Sequence, residues 1–511
     1  MSSPSSGCVY IVGAGPGDPS LLTVKGAHCL RQADVLLYDE LLNHRLLDLA
    51  DPTCEKIYVG KQGGRRSHSQ EEINALLLSK GSEGKKVVRL KGGDPCIYGR
   101  GAEEAMQLAA AGIRFEIVPG ISAAAAVPAY AGIPLTHRGL AASAVLVTGH
   151  EDPNKPAPSI DWSQLAPLDS TLVIFMGVRK IGEIAQQLLA HGRPPATPVA
   201  AIERGTYPAQ RTIVSDLVHI EEEMRVQKAE SPALILIGEV VHLHQQLNWF
   251  ESRPLFGKRL LVTRQREQAG PLVDLLEADG AEVSLLPLID LQLPDDCSAL
   301  DGAIDSLSSF SSILFTSPSA VDFFFSRLRQ RSCDARAFAG CSIAAVGQAT
   351  ADQLRDRGIE PDLIPADQSQ DGLIAAFAEI PVEGSQILFP ASSLARSKLV
   401  EKLEQRGAQV TRITAYENRS PDPATLEIPP ALAEEQLDAV LFASPSAVAN
   451  FTAVLGEERT HRILSQVAIA CIGKTTAHAV EEIGFTAAIL PDESSIPALA
   501  QSIRAYFETT S

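Results

Sequence analysis

The stretch "VRLKGGDPCIYGRGAEE", residues 88–104, runs an apolar strand end into two glycines, an aspartate and a proline, then into an acidic helix start. Gly92 and Gly93 allow a bulky ligand to approach the backbone. Asp94, flanked by Lys91 and Arg100, supplies an acceptor, which suits a ribose or an amino group better than a phosphate. One glycine loop is weak by itself. Here four signals follow in fixed order: "GAGPGDP" from residue 13, "YDELL" from 38, the quoted loop, and "VPGISAAAAVPAYAGIPLTHR" from 118.

The first signal imitates a dinucleotide fingerprint, and Asp39 even stands where a ribose-binding acid would. The third glycine comes one residue early, however, Pro16 removes a donor, and Asp18 puts a carboxylate where a pyrophosphate should lie. A dinucleotide is therefore disfavoured. Around these loops, short β-branched runs such as "CVYIVGAG", "ADVLLYD", "AVLVTGH" and "PALILIG" alternate with helical patterns. That alternation predicts α/β lobes with parallel or mixed sheets covered by helices.

A chain of 511 residues exceeds one ordinary core and implies three or four structural units. "LNWFESRPLFGKRLLVTR", 247–264, marks a boundary near residue 255. Beyond it lies an internal repeat: "LFTSPSAVDFF" at 314 returns as "LFASPSAVANF" at 441, and "AAVGQATADQLRDRG" at 344 as "ACIGKTTAHAVEEIG" at 470. Leu261/Leu388, Leu276/Leu403 and Gly280/Gly407 stay in register at the same spacing. Two copies are too few for a solenoid and predict a pseudo-twofold pair of α/β units around a cleft. Each copy carries two strand-to-helix turns whose free N–H groups suit anions, so four of them facing one cleft would take a ligand with several carboxylates.

Net charge is −18 and uneven: residues 1–257 hold 24 Lys and Arg against 27 Asp and Glu, while the remainder holds 20 against 35. Neither half has the clustered cation that nucleic acid requires. The start of the chain lacks a basic region before its apolar run, and no apolar run reaches the roughly 18–20 residues of a membrane span, so a cytoplasmic protein is expected. Eight dispersed cysteines form no C-x-x-C pair and offer no zinc spacing; no metal is expected, and the thiols read as reduced and mostly buried.

On these four motifs, residues 8–245 resemble the tetrapyrrole methylases, and within them the uroporphyrinogen III C-methyltransferases. The resemblance implies two α/β lobes, about 8–138 and 143–245, holding S-adenosylmethionine between them in a homodimer. It places the cofactor against Pro16, Gly92, Gly93, Asp94, Ile97, Ser122, Ala123, Met176 and Gly205. It makes Asp39 a proton acceptor and Lys61 a proton donor; a strand-end cap and a solvated loop lysine are their plain alternatives. Ala123 after Ser122, and Ala102 in "GRGAEE", depart slightly from the family pattern. Arg65, Arg66, Arg100, Arg138 and Arg211 are available for substrate carboxylates.

After a linker at 246–257, residues 258–511 resemble uroporphyrinogen III synthase, through "LLVTR", "FTSPSAV", "AVG", "TAYEN", "FASPSAV" and "IGKTTA". That resemblance implies one domain from about 258–290 plus 416–511, a second from about 291–415, and no cofactor. Tyr416 would assist loss of the leaving group. Arg264, Thr316, Ser317, Gly347, Arg396, Ser444, Lys474, Thr475 and Thr476 would bind substrate. Together the halves imply cyclisation of hydroxymethylbilane to uroporphyrinogen III, then methylation at C-2 and C-7 to precorrin-2, on the way to sirohaem or cobalamin. A methylase of a later corrin precursor, and a tetrapyrrole-binding regulator with an inactive second half, are the competing readings.

Overall fold

A computed structural model describes residues 7–60, 68–149, 160–393, 398–421 and 426–510, without the side chains of Arg266 and Glu267. Its contacts divide the chain into two compact units, residues 1–260, 273–283 and 500–511 in the first, 261–272 and 284–499 in the second. Both are α/β.

The first unit contains two five-stranded sheets. In one, β1 (Cys8–Gly13), β2 (Val35–Tyr38), β3 (Glu55–Tyr58), β4 (Lys86–Lys91) and β5 (Phe115–Val118) lie in the order β3-β2-β4-β1-β5, all parallel. The chain turns one way after β1 and the other way after β4, so these adjacent strands define the switch point where open α/β sheets bind ligands. The second sheet holds β6 (Ala144–Thr148), β7 (Thr171–Phe175), β8 (Pro198–Glu203), β9 (Arg211–Asp216) and β10 (Ala233–Ile237) in the order β6-β7-β10-β8-β9, parallel only between β6 and β7.

Helices cover both sheets because their apolar faces match the β-branched strand runs. Ile11, Leu37, Val87, Ile73 and Leu77 share one cluster; Leu172, Ile174, Ile184, Leu188 and Ile235 share another. The stretch 246–257 is packed against this unit. Trp249 donates its indole N–H to the Ala129 carbonyl at 2.9 Å, Phe250 is buried, and the Arg253 guanidinium lies over the Trp249 ring at 4.6 Å.

The remaining strands explain the repeat. One sheet orders β11 (Arg259–Val262), β12 (Glu282–Leu285), β18 (Ala439–Phe442) and β19 (Ala468–Cys471) as β12-β11-β18-β19. The other orders β13 (Asp290–Gln292), β14 (Ser312–Phe315), β15 (Ser342–Ala345), β16 (Gln386–Ser392) and β17 (Gln409–Arg419) as β13-β17-β16-β14-β15. Superposed by repeat, β11, β12, β18 and β19 correspond to β16, β17, β14 and β15. The copies even share loop bonds: Ala345 N–H reaches Leu363 O as Cys471 N–H reaches Ile489 O, each at 2.9 Å. The chain thus supplies two strands of one sheet, builds the other whole, and returns to finish the first. Antiparallel β13 and β17, with Leu291 opposite Asn418, are the two passes of the connection.

All eight cysteines are free, and Cys8, Cys29, Cys54 and Cys471 are buried whereas Cys96 is exposed. Burial pushes the Cys471 thiol up to about 12. The thiolate is the reactive form, so iodoacetamide at about pH 8 labels Cys96 in the native protein and spares Cys471. Peptide mass spectrometry showing rapid label on Cys471 would mean that β19 opens far more readily than its packing implies. Among the described residues, no helix is long and apolar enough to cross a membrane.

Candidate active sites

At the switch point of the first sheet, the loops after β1 and β4 clasp each other. Gly15 N–H donates to Gly93 O at 3.2 Å and Gly93 N–H to Gly15 O at 2.8 Å. The loop after β5 joins them through Asp94, whose Oδ1 accepts Cys96 N–H at 2.8 Å and whose Oδ2 accepts Gly120 N–H at 3.1 Å. The approach is possible only without side chains. A Cβ on Gly120 would overlap Gly93 O and lie 2.7 Å from Gly13 Cα. Gly93 itself has φ +66°, and a Cβ there would meet only Ala123 N, at 3.7 Å. Gly93 therefore faces the first turn of the helix Ala123–Tyr130, where the Ser122 hydroxyl accepts Ala124 N–H at 3.2 Å.

The second lobe closes on the same loops. Asp18 N–H donates to the Thr206 hydroxyl at 3.0 Å, and the Tyr98 hydroxyl donates to Leu146 O at 3.0 Å while its ring lies 4.9 Å from Phe175. Five residues here, Tyr98, Arg100, Met176, Arg204 and Thr206, hold φ between 44° and 72°. Such strain persists only where the surroundings over-determine it, and it concentrates at functional sites. Gly205 stands between two of these residues, pressed on Val127, and Met176 is exposed directly after β7.

The structure thus gathers Gly92, Gly93, Asp94, Ser122 and Ala123 at the clasp, with Pro16 and Ile97 half-buried in its loops and Gly205 behind it. Asp18 is not free for a ligand: Oδ1 caps Ser20 N–H at 2.8 Å and Oδ2 accepts the Tyr130 hydroxyl at 2.6 Å. Burial, then Asp18, raises the Tyr130 phenol above its ordinary range.

Asp39 follows β2, level with Lys91 across the parallel pair. Its Oδ1 accepts from the buried Arg89 guanidinium at 2.7 Å. Lys91 donates to buried Glu104 at 2.8 Å; burial, then the neighbouring Arg89 charge, lowers the ammonium below its ordinary range. Lys61, Arg65 and Arg66 lie outside the described residues. Arg100 is paired to Glu103 at 2.7 Å and Arg211 to Glu203 at 2.5 Å, while Arg138 is exposed.

The second unit contains a cavity of about 230 Å³ reaching from Arg264 and Gln268 to Tyr416, Asn418 and Ser444. Arg264 is its main feature. The guanidinium has no carboxylate partner among the described residues, only the Gln268 side-chain oxygen at 3.5 Å, and burial lowers it below its ordinary range. A desolvated, unpaired cation is an anion receptor. Gln268, on the helix after β11, donates to Ser319, on the helix after β14, at 2.9 Å, joining elements of the two sheets.

Tyr416, nearly buried on β17, stacks on Phe323 and shares a hydrogen bond of 3.1 Å with Ser317. Ser317 and Ser444, one repeat apart, cap their helices identically, accepting Ala320 and Ala447 N–H at 3.1 and 3.2 Å. Thr316, Gly347, Lys474, Thr475 and Thr476 do not line this cavity. Gln348 N–H, beside Gly347, is already satisfied by Gln368 at 2.9 Å; Thr476 is buried, and Lys474 and Thr475 are exposed. Arg396 lies outside the described residues.

A family model for tetrapyrrole (corrin/porphyrin) methylases matches residues 8–221, and one for uroporphyrinogen-III synthase HemD matches residues 270–501. The porphyrin biosynthesis protein HemD of Ruminiclostridium josui is 35% identical over 476 residues, covering 93% of this chain and 94% of that protein. The chain joins a tetrapyrrole methylase to a uroporphyrinogen-III synthase. The chain is also similar to the uroporphyrinogen-III C-methyltransferase of Bacillus subtilis strain 168, 42% identical over 362 residues, 70% of this chain and 74% of that protein. It is similar as well to the S-adenosyl-L-methionine-dependent uroporphyrinogen III methyltransferase of Methanosarcina barkeri, 50% identical over 241 residues, 47% of this chain and 94% of that protein.

Among the described residues no group of three or more His, Cys, Asp or Glu could hold a metal ion. The methylase clasp fits an S-adenosyl ligand: Gly93 leaves open space beside the Ala123 amide where any side chain would stand. The synthase cavity fits a carboxylate, through Arg264.

Proposed function

We propose that this chain is a bifunctional tetrapyrrole enzyme. Its second half cyclises hydroxymethylbilane to uroporphyrinogen III with loss of water, without a cofactor. Its first half methylates that product at C-2 and C-7, giving precorrin-2. What carries the reading is a pairing in one polypeptide: a glycine clasp at a sheet switch point, and a largely desolvated guanidinium that meets no carboxylate among the described residues.

S-adenosylmethionine, when bound, supplies an electrophilic methyl group. The methylase half has then to orient and to exclude water. Pro16, Gly92, Gly93, Asp94, Ile97, Ser122, Ala123, Met176 and Gly205 hold the donor, and Asp39 takes the proton that the methylated pyrrole releases. Its Oδ2 has no hydrogen-bond partner among the described residues, and a quarter of the side chain is exposed, which leaves the carboxylate able to accept. Lys61 remains the proposed proton donor.

In the synthase half, Arg264 takes a substrate carboxylate and Tyr416 hydrogen-bonds the departing hydroxyl. A cavity of 230 Å³ is smaller than the roughly 300–1,000 Å³ that encloses a drug-sized ligand, so it takes one pyrrole ring with its acidic arms. Thr316, Ser317, Gly347, Arg396, Ser444, Lys474, Thr475 and Thr476 serve the remaining arms. The domains are 8–245 and 258–511, with 258–290 plus 416–511 forming one part of the synthase and 291–415 the other. We further propose a cytoplasmic homodimer assembled through the methylase half.

Purified protein given hydroxymethylbilane alone yields the type III isomer; with S-adenosylmethionine added, the product gains the mass of two methyl groups. Tyr416→Phe slows cyclisation on the order of 10²-fold and leaves methylation of supplied uroporphyrinogen III unchanged. Production of the type I isomer alone, or no methyl gain, would refute the corresponding half of the proposal.

A further inference from the structure

In the middle of β4, between Val88 and Leu90, stands a charged residue that the methylase reading has not used. Arg89 is 2% exposed. Three acceptors clamp its guanidinium: Asp39 Oδ1 at 2.7 Å from one terminal nitrogen, Leu90 O at 3.1 Å from the other, and Glu104 Oε1 at 3.3 Å from Nε. Glu104 is fully buried and is itself gripped by Lys91 at 2.8 Å and by the Gln70 amide at 3.3 Å. Its second oxygen, Oε2, is buried without a partner among the described residues.

Two cations and two carboxylates balance in charge, but such a cluster costs desolvation that apolar residues of the same volume would avoid. A fully buried arginine with all three nitrogens engaged has no freedom to reorient. Arg89 is the sole hydrogen-bond partner of the Asp39 carboxylate among the described residues. Glu104 lies in the first turn of the helix Gly101–Ala110, which directly follows the Gly92–Arg100 loop. The cluster therefore ties the loop proposed to hold the donor to the carboxylate proposed to take the proton.

We infer that Arg89 is a positioning residue of the methyl transfer: anchored by Glu104, it fixes Asp39 so that Oδ2 remains available to accept the proton. This rests on the reading of Asp39 as proton acceptor. Arginine rather than lysine is required, because its donors are spread over three nitrogens of a rigid planar fork, each here on a different acceptor, whereas a lysine ammonium donates from a single point.

The test is a double-mutant cycle in the full chain, with supplied uroporphyrinogen III as substrate. Arg89→Lys retains the charge and loses the fork. Its kcat is expected to fall on the order of 30-fold, while calorimetry shows S-adenosylhomocysteine binding within about twofold of the parent, which also reports that the unit is folded. In an Asp39→Asn background, Arg89→Lys is expected to change kcat less than twofold, since a residue acting through Asp39 has nothing left to act on.

Full turnover by Arg89→Lys, or losses that multiply in the double variant, overturns the inference and leaves the role of Asp39 intact. Full turnover by Asp39→Asn removes the reading of Asp39 itself, and the inference with it. Should Arg89→Lys fail to bind S-adenosylhomocysteine, Glu104→Gln replaces it in the same cycle. It loosens the Nε anchor without changing side-chain shape, and the same non-additivity with Asp39→Asn decides.

Discussion

Replacing Arg264 with leucine raises the KM for hydroxymethylbilane on the order of 10²-fold and does not lower the melting temperature. The two halves of that expectation have one cause. In the free protein the guanidinium is largely desolvated and, among the described residues, meets only the Gln268 oxygen at 3.5 Å, so its removal strands no described carboxylate and relieves a burial cost. In the complex it meets a carboxylate, and losing one member of a buried charge pair costs about 3 kcal/mol, or a factor of roughly 10². An ordinary structural arginine gives the reverse pattern, with stability lost and affinity kept. Substrate-saturation kinetics and a thermal melt on the same sample separate the two, and an unchanged KM would exclude Arg264 as the carboxylate receptor.

The second large effect belongs to the methylase half. Gly120→Ala abolishes measurable S-adenosylhomocysteine binding by calorimetry and destabilises the first unit by about 3 kcal/mol. The added methyl collides with Gly93 O and crowds Gly13 Cα, both backbone atoms that cannot turn aside as a side chain would. Gly112→Ala is the control. Its φ of +66° makes alanine strained by about 1 kcal/mol, but nothing lies within 4 Å of the new carbon, so ligand affinity is retained. Equal behaviour of the two variants would show that the packing of the three loops does not matter to the ligand.

Most of this architecture was legible before any coordinates. The glycine loops and the strand alternation placed the first parallel sheet, and the returning "SPSAV" segments announced the duplicated unit. β3 and β9 escaped notice because "EKIY" and "RTIVSD" form edge strands, exposed enough to be largely polar and so to carry little apolar signal. The anion turns were only partly legible. Their helix starts are real, but whether a neighbour already satisfies an amide, as Gln368 does at Gln348, depends on a residue twenty positions away. Gln268, which lines the cavity, carries no motif, and Asn418, though inside the quoted "TAYEN", gives no sign of its place there; they reach it through a helix face and the β13–β17 pairing. Arg89 did leave a trace, a lone charge inside "KVVRLK", and its meaning required seeing that β4 is a central strand with Asp39 beside it.

The split sheet of the second unit also governs how the chain must be made. β11 leaves the ribosome about 180 residues before β18, its neighbour in the finished sheet. At roughly 5–20 residues per second of translation, that strand waits many seconds with one edge bare. The intervening sheet, whose five strands are contiguous in the chain, has everything it needs to form meanwhile. Synthesis therefore completes the inner body first and seals the outer one only near the end, so a premature stop between Arg419 and Ala439 leaves a finished core hanging from an open, adhesive edge.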